Sequence, residues 1–145
     1  MRDRHSNMLL AVAIGNATLA ADNTPAAVDI RGYDTAEIML AIGVGGITFS
    51  TTNKVEFVLT HSDDNSTFTN VATADVLGAG TVTSGIIKSL IAAHATAAAY
   101  RFGYIGGKRH LKLLADFSGT HGTGTPIAGL ISLGNPARMP TADQA

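Results

Sequence analysis

Lys54-Val55-Glu56-Phe57-Val58-Leu59-Thr60-His61 is the stretch on which the fold turns. Val55, Phe57 and Leu59 fall on one side of an extended chain, and Lys54, Glu56, Val58 and Thr60 on the other. Side chains of a strand alternate between faces, so a period of two marks a strand with one buried face. Residues 108–117 behave alike: Arg109, Leu111, Leu113 and Ala115 oppose Lys108, His110, Lys112 and Leu114. Tyr100, Phe102 and Tyr104 alternate in a third segment, while residues 37–44 and 127–133 are short, apolar and bounded by glycine. Turn chemistry separates these runs at Gly15-Asn16, Asp22-Asn23-Thr24-Pro25, Gly45-Gly46, Asp63-Asp64-Asn65, Gly78-Ala79-Gly80, Gly106-Gly107 and residues 119–126. Short strands at spacings of about ten residues with turns between them predict an all-β fold, an antiparallel jelly-roll-like sandwich. One segment stays open between two readings. Ile86, Ile87, Leu90, Ile91 and His94 fit helical spacing ahead of an alanine-rich run, and strand plus loop is the alternative.

Composition narrows what such a fold does. The chain has 145 residues, one domain's worth. It is 46% hydrophobic and only 14% charged, where about 25% is usual for soluble domains. Mean hydropathy is +0.22. A disordered chain combines low hydrophobicity with high net charge, and this one has neither. With no cysteine, disulfides, thiolate metal sites and a cysteine nucleophile are excluded. A net charge of −1 argues against a nucleic-acid partner. So little charge on a small domain points to a surface covered by assembly.

Arg2, Arg4 and His5 precede the apolar residues 8–14, in partial imitation of a signal peptide. Asp3 among the positive charges and the Gly15-Asn16 interruption argue against one. No window reaches the roughly 20 apolar residues of a membrane-spanning helix, so no membrane partner is expected. The organisation expected is an N-terminal arm and first strand over 1–24, a β-sandwich domain over 25–135, and a proline-bearing C-terminal arm over 136–145.

Candidate chemistry is sparse. Ser62-Asp63-Asp64-Asn65-Ser66 lacks the glycine and glutamate of a calcium loop and reads as a hairpin turn. Gly119-Thr120-His121-Gly122-Thr123-Gly124-Thr125 lacks the lysine of a phosphate-binding loop and reads as a flexible hairpin loop. His5, His61, His94, His110 and His121 form no paired ligand spacing and read as surface or pore-lining. Lys108, Arg109, His110 and Lys112, with Arg101 nearby and Arg138 in the tail, form a basic cluster that suits a solvated face or contact with an acidic protein surface. No catalytic residue, metal or cofactor is expected.

Taken in order, several segments resemble the small capsid cement (decoration) proteins of tailed double-stranded DNA phages. They are Val28-Asp29-Ile30-Arg31-Gly32-Tyr33-Asp34; Val55-Glu56-Phe57 with His61-Ser62-Asp63-Asp64-Asn65-Ser66-Thr67-Phe68 and Val71; Tyr100-Arg101-Phe102-Gly103-Tyr104-Ile105-Gly106-Gly107-Lys108-Arg109; and Thr125-Pro126-Ile127 with Leu133-Gly134-Asn135-Pro136. His110 stands where an aromatic often follows the G-K-R run. The resemblance implies a jelly-roll-like protein on the outer surface of the virion capsid. There it bridges neighbouring major capsid proteins, assembles with itself as a dimer or trimer, and has no catalytic role. Arg2, Arg4, His5, Lys108, Arg109, Arg138 and Met139 are the expected capsid or oligomer contacts. The alternative is a jelly-roll carbohydrate-binding or adhesin module on a virion surface, with Tyr33, Tyr100 and Tyr104 as its only tyrosines and no tryptophan.

Overall fold

The computed structural model describes residues 3–142. Its strands, in chain order, are β1 (Met8–Leu19), β2 (Val28–Asp29), β3 (Tyr33–Ile42), β4 (Lys54–Ser62), β5 (Thr69–Asn70), β6 (Val76–Leu77), β7 (Ile86–Leu90), β8 (Ala98–Tyr104), β9 (His110–Ser118) and β10 (Thr125–Pro136). Two single 3-10 turns, His5–Asn7 and Thr73–Asp75, are the only helical pieces among the described residues. The ambiguous segment at residue 86 is a strand, β7, paired antiparallel with β4. A register shift at Phe57/Val58 breaks its alternation, so Ile87 and Leu90 are both buried. This spacing of three is what imitates a helix in the sequence.

All pairing is antiparallel, and its order is that of a hairpin rolled up. β1 pairs β10, β2 pairs β9, β3 pairs β8 and β4 pairs β7. Rolling then lays β10 against β3 and β9 against β4. The result is two five-stranded sheets: β1-β10-β3-β8-β6, and β2-β9-β4 with β7 and β5 both on the free side of β4. This is the jelly roll. The link from β4 to β7 is elaborated: β5 adds to β4, and β6 crosses to the outer edge of the first sheet beside β8.

The core is the inward half of each alternating strand. Val55, Phe57 and Leu59 of β4 and Leu111, Leu113 and Ala115 of β9 meet Ile38, Leu40 and Ile42 of β3 and Ile127, Ile131 and Leu133 of β10. All are buried as the period-two reading requires. Gly129 interrupts the inward row of β10 because the sheets approach closely there. A Cβ on it would lie 3.1 Å from Ile14 and 3.2 Å from Leu113.

The two ends of the described residues lie beside each other at one end of the sandwich. The Thr141 amide donates to Ser6 O at 3.0 Å, and its hydroxyl donates to His5 O and Met8 O at 3.2 and 3.3 Å. The Ala137 amide donates to Gly32 O at 2.8 Å. Residues 137–142 are therefore outside the sheets but hydrogen-bonded to the N-terminal segment and to the β2–β3 turn.

Candidate functional site

Three of the segments singled out in the sequence are joined at that same end. Asp29 closes β2 opposite His110. Its Oδ1 accepts from the Arg31 amide at 2.9 Å and from Arg109 Nε at 2.9 Å, and its Oδ2 accepts from Arg109 Nη2 at 2.6 Å. This two-point pairing with Arg109 holds the Asp29 carboxyl well below the usual carboxylate range. The chain then turns through Ile30–Tyr33, closed by the Tyr33 amide on Ile30 O, with Gly32 at φ +89 where a side chain is strained.

The second segment is the turn after β4, as its residue types predict. Asp64 Oδ1 accepts from Ser62 Oγ, the Ser66 amide and the Thr67 amide at 2.7, 2.9 and 2.8 Å. Those donors lower its pKa to about 2. Asn65 takes the left-handed conformation at φ 57. The third segment carries Tyr104, buried at the end of β8. Its hydroxyl accepts from the Lys108 amide at 3.0 Å. It also hydrogen-bonds His61 Nδ1 at 2.9 Å. Burial, followed by the nearby Lys108 charge, pushes the His61 pKa down. Burial pushes the Tyr104 phenol up.

Around this joint lie two adjoining clefts. One, of about 610 Å³, is walled by the β2–β3 turn, Asp63, Tyr104, Ile105, Lys108 and Arg109. The other, of about 470 Å³, runs from Asp34 and Thr35 to Arg4, Asn7, Leu77 and Asn135. Asp34, Thr35, Ala36, Tyr104 and Ile105 line both. Ile105 and Leu77 are 58% and 57% exposed at their rims, and Met139, in the segment whose Ala137 and Thr141 bond Gly32 and Ser6, is 62% exposed.

The expected contact residues can now be placed. Arg4, His5, Arg138 and Met139 are exposed in the two joined terminal segments. Lys108 lines the larger cleft, with its Nζ 3.3 Å from Thr69 Oγ1. Arg109 lines it too, but its guanidinium is engaged by Asp29. Arg2 lies outside the described residues. The basic cluster does not form as one patch, because neighbours in sequence go to different faces and sheets. Arg101 is on the outer face of the first sheet, 3.4 Å from Glu37. Lys112 lies over the Phe68 ring, 4.0 Å from its centroid. His110 is buried, with Nε2 4.0 Å from Asp29. Its expected place beside Lys112 on an exposed face is corrected by its burial at the start of β9, opposite Asp29 of β2.

The histidines are likewise not surface groups, His5 apart. His61, His110 and His121 are buried, and His94 is half-buried. His94 Nδ1 donates to Gly43 O at 2.8 Å while Nε2 accepts from Tyr100 Oη at 3.1 Å. His121 Nε2 donates to Ser118 O at 2.8 Å, and its ring stands edge-on to Phe117. His121 is thus buried within the glycine-rich loop, and Gly124 in it backs directly onto Gly46. Among the described residues no group of three or more His, Asp or Glu is placed to hold a metal ion. No helix among them is long and apolar enough to cross a membrane. The Asp29–Arg109 and His61–Tyr104 pairs escaped the sequence reading, since each depends on strand register. Comparisons with known proteins identify no relative: no family model, curated protein or solved structure matches the chain.

Proposed function

We propose that this is a capsid cement protein, bound to the outer surface of a tailed-phage head and bridging neighbouring major capsid proteins. One observation carries the reading. Arg4, Lys108, Ile105 and Met139, drawn from three distant parts of the chain, gather at one end of a jelly roll, where the segments that resemble the cement family interlock. An end of this kind, apolar at its rims and carrying both signs of charge between them (Arg4, Arg31 and Lys108 with Asp34 and Asp63), suits a protein partner. The low total charge supports the same reading, because a weakly charged surface costs less to cover.

The mechanism is mass action. A protein that binds only the assembled shell adds the free energy of its contacts to the shell's resistance to dissociation. On a symmetric lattice each bound end raises the effective concentration of the next contact. Mass spectrometry and cryo-electron microscopy of purified particles test it. The protein should be present in many copies outside the shell, and its absence overturns the reading. The variants Ile105→Asp and Lys108→Glu should fold and lose attachment.

A sugar-binding module on a virion surface is the second reading. The observation in its favour is the larger cleft, which places Tyr33 beside Arg31, Asp34 and Asp63. Specific hits on a glycan array would establish it over the first.

A further inference from the structure

The outer face of the first sheet is unlike that of the second. On the second sheet, outward positions of β4 and β9 stand opposite one another as Lys54 and Ser118, Glu56 and Asp116, Val58 and Leu114, Thr60 and Lys112, one apolar pair among polar ones. Lys54 bonds Glu56 at 2.8 Å. This is the polar exterior expected of a sandwich. On the first sheet the same reading of the register gives rows of another kind. Ala128, Ala41 and Ala99 lie side by side, then Val12, Leu130, Met39 and Arg101, then Leu10, Ser132, Glu37, Gly103 and Leu77. The inward neighbours of these residues, Ile38, Leu40, Ile131 and Leu133, are fully buried, which fixes the rows as outward. Val12 is 61% exposed and Leu77 57%. Solvent thus meets a sheet face of Leu, Val, Met and Ala that carries a single acid and a single base.

We infer that this face is a two-fold interface, and that its occupant is the same face of a second copy of the chain. The charge arrangement selects the occupant. Glu37 and Arg101 are neighbours, 3.4 Å apart, and the Arg101 side chain is 83% exposed. A closed two-fold contact must be self-complementary. A face with one acid beside one base meets that condition: on a second copy turned over it, each Arg101 faces the other copy's Glu37. Size agrees as well. Four strands about 4.8 Å apart and some nine residues long at about 3.4 Å each cover roughly 600 Å² in projection. A stable interface takes about 800 Å² of accessible surface from each partner, and accessible surface exceeds projection. Ala41, Ala99, Ala128 and Pro126 leave a shallow apolar hollow of about 400 Å³ at one end of the face. It accepts protruding side chains of the second copy, as sheets packed face to face interdigitate. The inference is independent of what the other end of the molecule binds.

Sedimentation velocity on the full chain at micromolar concentration tests it. The wild type should sediment as a dimer. Arg101→Glu gives each copy acids at both positions, and Glu37→Arg gives bases at both. Each single variant should weaken self-association at least tenfold with an unchanged circular dichroism spectrum. The double variant Glu37→Arg/Arg101→Glu should restore it, and an equimolar mixture of the two single variants should dimerise. Met39→Asp, in the middle row, should give monomer. A wild-type monomer, a trimer, or a dimer indifferent to Arg101→Glu and Met39→Asp would overturn the inference.

Discussion

Tyr104 joins three parts of the chain through one oxygen. Its hydroxyl accepts from the Lys108 amide and hydrogen-bonds His61 Nδ1, so the β8–β9 turn and the end of β4 share one buried anchor. Tyr104→Phe keeps the ring but leaves a buried nitrogen without its hydrogen-bond partner and an amide without its acceptor. Leaving buried polar groups unsatisfied costs about 1–3 kcal/mol, and urea unfolding at neutral pH should read a loss of that size. The same contact sets a pH dependence. Folding holds the His61 pKa below its ordinary 6.5, because the site is desolvated, with Lys108 close by; Asp75 and Asp63 oppose the effect. As pH falls below about 6.5 the unfolded chain therefore takes up this proton before the folded one. Stability contributed above that pH is lost on acidification, until the folded imidazole is protonated too. His61→Gln, whose amide oxygen can still accept from Tyr104, should show a shallower fall in unfolding free energy between about pH 7 and 5 than the wild type. Equal slopes would remove His61 as the titrating group.

At the scale of elements, the sheets meet most closely where β10 carries Gly129. Gly129→Val would force a branched side chain between Ile14 and Leu113. Overpacking of this kind costs about 1–3 kcal/mol, measurable as a lower urea midpoint with little change in slope. A variant as stable as the wild type would show that β1 can move outward to make room. β4, β8 and β9 were legible from their period of two, and β3 and β10 from short apolar runs between glycines, read with narrower bounds than the strands have. β2, β5 and β6 were not, since two residues carry no period. β1 was obscured differently: its register shifts at Val12/Ile14 and Ile14/Ala17 put the neighbours Ala13 and Ile14 both inside. The candidate site was legible in its members and not in its joints. Arg109 reads as a free cation until the pairing of β2 with β9 brings Asp29, 80 residues away in sequence, to its guanidinium. Lys108 and Arg101 read as neighbours until β8 and β9 are assigned to different sheets.

The jelly roll, taken whole, pairs its first strand with its last, and so brings its ends together. Thr141 and Ser6 are hydrogen-bonded, while β1 and β10 are separated by the entire sandwich in sequence. Contacts so distant along the chain make folding slow, because loop closure precedes any return from pairing. A circular permutation exchanges that cost without touching a strand. Joining the ends through a short Gly/Ser linker makes the β1–β10 pairing local. New ends placed in the exposed turn Gly78-Ala79-Gly80 interrupt no pairing between strands, and a side chain at Gly80 would meet nothing within 4 Å. This permutant should keep the wild-type circular dichroism spectrum and refold faster in stopped-flow experiments. Opening the chain at Gly45-Gly46 should do the opposite. There the Gly46 amide donates to the buried Thr125 hydroxyl at 3.1 Å, and Gly46 itself backs onto Gly124, so the break would loosen the start of β10. If both permutants fold equally well, the Gly45–Gly46 loop plays no part in holding β10 between β1 and β3. If neither folds, β1 and β10 must be free to dock late, and the nearness of the ends is a consequence of folding that the chain cannot be given in advance.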